Sequence, residues 1–362
     1  MKDTLSENDL DSLLLNTVTP KIRKSTEFKI LSLDGGGIKG LYAAMLLAQI
    51  EEKTRKPIGY YFDMICGTST GGLIGLAITK GVPCKVVADF YEKHGKLIFP
   101  NTTGIMGLTT KAKQAVWSTK YDNVPLVNAI TELLNDYEKM DTCRHLMCIP
   151  AFNVTKGLPK VFKNPFGHYH VDARHSILNV ALATSAAPTY LPSVKIEVDQ
   201  YVDGGLYANN PSMIGFTEAM DHFINKETDI IPDGIKYDSV SMLSIGLPQE
   251  CIGELPDLND KRSFAEWGPK LVGTSMLGSE YIAEYQTRKL IAAGKGNYYR
   301  LTPPPFSIAH TKEVSMDNTS DNAIRLLTSY GQAVGDDYTS SKWQEIEHFF
   351  TNPRTYKTSD NG

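Results

Sequence analysis

Little in this 362-residue chain points to a covalent or metal framework. Its five cysteines, at 66, 84, 143, 148 and 251, are an odd set with no Cys-x-x-Cys pair. That argues against a disulfide scaffold or a zinc site, and a reducing cytoplasm is the setting it fits. No apolar run approaches the roughly 20 residues needed to span a bilayer. The N-terminus, with Asp3, Glu7, Asp9 and Asp11 around Leu10 and Leu13 to Leu15, lacks the basic start and longer apolar run of a secretion signal. Charge of one sign is missing too: 37 basic and 41 acidic side chains leave a net charge of −4, so no nucleic-acid polymer is expected as a partner. No Gly-x-x-x-x-Gly-Lys-Ser/Thr is present, which leaves a P-loop nucleotidase unsupported.

What is present is an ordinary globular composition, 41% hydrophobic and 22% charged. Apolar runs at 28–34, 60–66, 146–152 and 240–246 read as strands, joined by a short one at 201–203. Helical spacing at about 39–53, 124–137 and 176–187 alternates with them. Strands alternating with helices imply a mostly parallel sheet covered on both faces, an α/β/α sandwich. Three parts are expected: a short helix and linker over 1–24, an α/β core over 25–255, and a helical extension over 256–362 packed on the core. Residues 99–120 break the pattern, with Phe99, Ile105, Met106, Leu108 and Trp117 among lysines. They suit either a folded-down loop or an element that docks on an anionic bilayer.

Two glycine loops carry the chemistry. Ser69 lies in Gly67-Thr68-Ser69-Thr70-Gly71, after a strand-like run and before a helix-like one. A sharp turn there lifts a serine hydroxyl to the end of a sheet and aims a helix N-terminus at it. The other loop, Gly35-Gly36-Gly37-Ile38-Lys39-Gly40, presents consecutive N–H groups with no side chains in the way, which suits a developing oxyanion. Its Gly35, Gly37 and Gly40 also satisfy the dinucleotide fingerprint, with Asp63 at a plausible distance for a ribose contact. In that fingerprint, however, the acid closes the second strand, whereas Asp63 falls within the run leading to Gly67.

A serine nucleophile needs a base. None of the eight histidines sits at a glycine-bounded strand end, and His310 is the best of the later ones. Asp203 follows Tyr201-Val202 and precedes Gly204-Gly205, a position that presents a carboxylate on a tight turn. An ordinary Asp-Gly turn accounts for it equally well.

Four segments together resemble the patatin-like phospholipase family. They are Asp34-Gly35-Gly36-Gly37-Ile38-Lys39-Gly40, Gly67-Thr68-Ser69-Thr70-Gly71, Ala183-Thr184-Ser185-Ala186-Ala187-Pro188 and Asp203-Gly204-Gly205, with Asn209-Asn210-Pro211 following. The resemblance implies a three-layer patatin-like fold with residues 25–255 as the catalytic domain. It also implies a dyad of Ser69 as nucleophile and Asp203 as base, with Gly35, Gly36 and Gly37 lining the oxyanion hole, and no metal or catalytic cofactor. Lys39 stands where the family usually has arginine, so the charge is kept and the bidentate fork is lost. The substrate implied is a membrane phospholipid, met by a cytoplasmic protein acting at the inner face of the cell membrane. In length and in its C-terminal region the chain is also similar to bacterial patatin-like effectors of anti-phage signalling (CBASS) systems. Those enzymes are activated by a cyclic dinucleotide, often cyclic GMP–AMP. The alternatives are a constitutive esterase or lipase, and a non-enzymatic dinucleotide-binding module built on Gly35 to Gly40. Assembly as a homo-oligomer is left open.

Overall fold

The structure is a computed structural model that describes residues 24–100, 119–134, 138–227, 231, 233–249, 264–304, 306, 310 and 313–356. The helix expected before residue 24, most of the 99–120 segment, Cys251 and the tail from 357 lie outside the described residues. The strands are β1 (Lys24–Leu33), β2 (Met64–Gly67), β3 (Leu146–Asn153), β4 (Leu158–Phe162), β5 (Val194–Ile196), β6 (Asp199–Asp203), β7 (Ile235–Ile245) and β8 (Tyr298–Leu301). They form one sheet in the order β5-β6-β3-β2-β1-β7-β8, with β4 also on β3. The centre is parallel: β1 pairs with β2 and β7, β2 with β3, and β7 with β8. β4, β5 and β6 join antiparallel at one side.

The side chains of the central strands alternate between two cores, as the period of two requires. Leu31, Leu33, Ile65, Met147, Ile149, Leu243 and Ile245 face one core, and Phe28, Ile30, Met64, Cys66, Leu146, Cys148 and Met242 face the other. Helices α1 (Gly40–Thr54), α2 (Thr70–Thr79), α3 (Cys84–Ile98), α4 (Val124–Leu134) and α5 (Ile177–Ser185) cover the first face. α2 is buried at all ten positions, which is why its sequence is apolar all round instead of amphipathic. The short α6 (Gly205–Ala208) follows β6, and α7 (Ser212–His222) covers the second face with Ala219. α5 starts where Ser176 accepts the Asn179 N–H at 3.1 Å, an ordinary serine cap.

The residues after 255 contribute more than helices. The long α8 (Phe264–Ala293) leads into β8, a four-residue strand on β7, and α9 (Asp321–Thr339) then lies along α1. Glycine sets that last contact: a Cβ on Gly331 would fall 2.6 Å from the Tyr42 carbonyl oxygen. α10 (Trp343–Ile346) precedes the final described turns. The helical spacing over 255–350 conceals β8, because a run as short as Tyr298 to Leu301 carries no period of its own. The strand forms because β7 has an edge to fill.

Candidate active site

β1 and β2 run in parallel register, Leu33 opposite Gly67, so both glycine loops emerge at the carboxyl end of the sheet. Ser69 sits on the turn between β2 and α2 with φ 54° and ψ −122°. An L residue adopts that conformation only under restraint, at about 1–3 kcal/mol. The flanking glycines supply it. A Cβ on Gly67 would fall 2.3 Å from the Gly71 carbonyl oxygen, and one on Gly71 would fall 2.3 Å from that of Leu33. β2, α2 and the end of β1 therefore meet backbone to backbone, with Ser69 held at their junction.

Asp203 ends β6, whose N–H bonds hold it against β3. The segment Ala183 to Pro188 ties it to Ser69. Thr184 accepts the Ser69 N–H at 2.9 Å and donates its own hydroxyl to the Pro150 carbonyl at 2.6 Å, while the Ala186 carbonyl accepts the Asp203 N–H at 3.0 Å. One segment thus fixes both backbones. Ser69 and Asp203 are buried, at 8% and 5% exposure. Burial raises the Asp203 carboxyl to about 6, with the Ser69 hydroxyl and the Gly205 N–H, which donates to Oδ1 at 2.7 Å, pulling it back in part. A carboxylate poised near neutrality beside a hydroxyl is the arrangement a general base requires.

The upstream loop divides its N–H groups. Gly35 donates to the Asn209 carbonyl at 3.0 Å and Ile38 to that of Met316 at 2.9 Å. Among the described residues, Gly36 and Gly37 donate to no other group. Gly35 serves by its lack of a side chain: a Cβ there would lie 2.6 Å from Asn209 Oδ1 and 3.2 Å from the Ser69 Cβ. Gly37 has φ 58° and packs against Met316, where a Cβ would fall 2.2 Å from the carbonyl oxygen. Lys39 is buried within the Gly37–Lys39 turn. Ser69 and Gly37 line an apolar pocket together with Leu73, Phe90, Ile98, Phe99, Leu126, Leu191 and Met316.

Among the described residues, no histidine lines this pocket. His145 is buried between Thr79 and the Gly59 carbonyl, 2.7 Å from Nε2, and burial lowers it to about 3. His310 packs edge-on to Phe306. Asp63 is also elsewhere. It precedes β2, at the amino end of the sheet, where its carboxylate accepts the N–H groups of Lys29, Thr355 and Tyr356 at 2.8, 2.7 and 2.6 Å. It has no access to the Gly35–Gly40 loop, so the ribose contact of a dinucleotide site is not formed. Thr184 and Asn209 fall within the family-like motifs but take their roles only from the fold, and Arg300, which bonds the loop's Asp34, carries no sequence signal.

A family model described as patatin-like phospholipase matches residues 31–215, which takes in both glycine loops, Thr184 and Asp203. The chain belongs to the patatin-like phospholipase family. A cGAMP-activated phospholipase of Vibrio cholerae is 31% identical over 352 residues, covering 90% of this chain and 95% of that protein. One of Escherichia coli is 28% identical over 351 residues, covering 92% and 95%. Among solved structures, VipD from Legionella pneumophila aligns over 88% of this chain and 67% of its own at 11% identity, with a TM-score of 0.39. This patatin-like phospholipase is a hydrolase, and among its described residues no helix is long and apolar enough to cross a membrane.

Proposed function

We propose that the chain hydrolyses fatty-acyl esters of membrane phospholipids through a Ser69–Asp203 dyad. The observation that carries this reading is the placement of a strained, pocket-lining Ser69 beside a buried carboxyl raised to about 6. Asp203 takes the Ser69 proton as Oγ attacks the ester carbonyl. The tetrahedral oxyanion faces the N–H groups of Gly36 and Gly37, while Gly35 keeps the space clear. Each such donor is worth about 2.7–4 kcal/mol. As the carbon–oxygen bond to the glycerol breaks, Asp203 returns the proton to the departing lysophospholipid alkoxide. Water then attacks the acyl-serine, losing its proton to Asp203, which passes it back to Ser69 Oγ as the fatty acid leaves. The acyl chain fits the apolar walls contributed by α2, α3 and α4.

The relatives' names support a further step, that a cyclic dinucleotide such as cyclic GMP–AMP switches the enzyme on. The action would then be degradation of the cell's own phospholipids at the inner membrane face during anti-phage defence. Release of fatty acid from phospholipid vesicles, measured with and without a panel of cyclic dinucleotides, tests both levels. Stimulation by one member and loss of all turnover in Ser69→Ala is the expected result. Turnover unchanged across the panel leaves a constitutive lipase, and turnover surviving in Ser69→Ala removes the dyad.

A further inference from the structure

A second cluster of buried charge lies behind the glycine loop. Asp34 is the residue before Gly35, and Arg300 reaches it from β8. Arg300 Nη2 lies 2.5 Å from Asp34 Oδ2 and 2.8 Å from Glu280 Oε1, and Nη1 donates to Ser244 Oγ at 2.7 Å. Glu280, on α8, accepts the Asn209 side-chain amide at 3.1 Å and that of Gln249 at 2.8 Å. The Asn209 carbonyl in turn accepts the Gly35 N–H at 3.0 Å. The contacts form a ring that leaves the loop at Asp34 and returns to it at Gly35. The side chains of Asp34, Arg300 and Glu280 are each less than a tenth exposed.

Such a ring is built for geometry more than for stability. A buried ion pair is weak evidence of net stabilisation, because desolvation offsets most of the attraction. What a planar fork on two carboxylates supplies is direction. An oxyanion donor is effective only when aimed at the oxygen to within fractions of an ångström. The helix end of the ring is also unusual. The core-facing side of α8 is polar where it meets the ring, and Thr287, further along, bonds Ser212 at 3.1 Å. Its Tyr281, Ile282 and Tyr285 point outward, each about three-fifths exposed. At this point α8 is joined to the core through charges and hydrogen bonds that end on the glycine loop.

We propose that Arg300 is a positioning residue for ester hydrolysis: it holds the Asp34–Gly37 loop so that the Gly36 and Gly37 N–H groups face the oxyanion, and Glu280 extends that restraint into α8. The inference rests on the Ser69–Asp203 reading. Burial raises the Asp34 carboxyl and Arg300 opposes that rise, so the guanidinium is the partner that keeps this buried anchor paired.

The test is steady-state hydrolysis of p-nitrophenyl butyrate by the full chain and its variants, with far-UV circular dichroism on each. Arg300→Gln is expected to lower kcat about 10- to 100-fold with KM within twofold, a part of what losing an oxyanion donor costs. Arg300→Lys restores part of kcat, since it keeps the charge without the fork. The acid limb of the pH profile, set by Asp203, stays where it is. Glu280→Gln keeps the size and an acceptor for Asn209, folds on that account, and lowers kcat several-fold. The proposal is overturned if Glu280→Gln and Arg300→Gln both retain kcat within twofold. It is equally overturned if kcat falls only in proportion to the folded fraction. Hydrolysis persisting in Ser69→Ala would instead refute the dyad, whereas an inert Ser69→Ala beside a fully active Arg300→Gln refutes this inference alone.

Discussion

At the amino end of the sheet, Asp63 is completely buried and surrounded by donors. Three backbone N–H groups from β1 and the C-terminal segment converge on it, and the Tyr237 hydroxyl approaches at 3.4 Å. At the carboxyl end, Asp203 is also buried but has one backbone N–H and the Ser69 hydroxyl for company. Burial raises both carboxyls, and at Asp63 the bonds from Lys29, Tyr356 and Thr355 oppose the rise. One aspartate is tied down on every side and joins the chain's end to its core. The other is left short of partners, and that shortage keeps its pKa near the range where it can accept a proton. The same residue type in the same sheet becomes a clasp or a candidate base according to how many donors the backbone delivers to it.

Substitutions sharpen or break this contrast. The largest effect is expected from Asp203→Ala, which should cut kcat/KM by at least about 10³-fold on a soluble ester while circular dichroism is unchanged. Activity near the parent level would remove Asp203 from the mechanism. Next is stability. An aspartate raised to about 6 in the folded state, against 3.8 ordinarily, destabilises the fold above that value. Below the lower value both states are protonated and nothing is lost; as pH rises through 4 to 6 up to about 3 kcal/mol disappears. Asp203→Asn should therefore raise the denaturation midpoint at pH 8 and leave it nearly level at pH 4, with hydrolysis lost at both. A lower midpoint at pH 8 would contradict the strained-base reading. Asp63→Asn should destabilise instead, because its amide NH2 replaces one of the two oxygens and must face at least one N–H group that the carboxylate now accepts. A stability loss of about 2–3 kcal/mol is expected in chemical denaturation, with kcat per folded molecule within twofold. The smallest and most specific effect is the pH profile of the parent enzyme. Asp203 works as a base only when ionised, so log kcat/KM should fall with unit slope below about pH 6 and flatten above it. A plateau extending to pH 4.5 would exclude that carboxyl.

Local signals carried much of the architecture. The mostly parallel sheet was readable because β1, β2, β3 and β7 are apolar runs bounded by glycine, aspartate or proline, and because helical spacing follows each glycine loop. The bonds around the Ser69 turn were implicit in Gly67 and Gly71, since only glycine fits where two backbones touch. β8 was not readable, nor was Arg300 within it, because a four-residue strand is defined by the edge it joins. Asp63 looked suited to a ligand contact by its distance from Gly40. The parallel register instead puts it at the opposite end of the sheet.

The order of the motifs by itself determined the fold class, the family, and the two candidate residues Ser69 and Asp203. Backbone conformation at glycine and strand periodicity are near-neighbour properties, and both are written along the chain. Only the tertiary structure decided which N–H groups of the glycine loop remain free, that Thr184 and Ala186 brace the two halves of the candidate dyad, and that Arg300 meets Asp34 from 266 residues away. Those contacts join segments with no shared period. They exist because burial leaves each polar group to find whatever partner the packed sheet brings within reach.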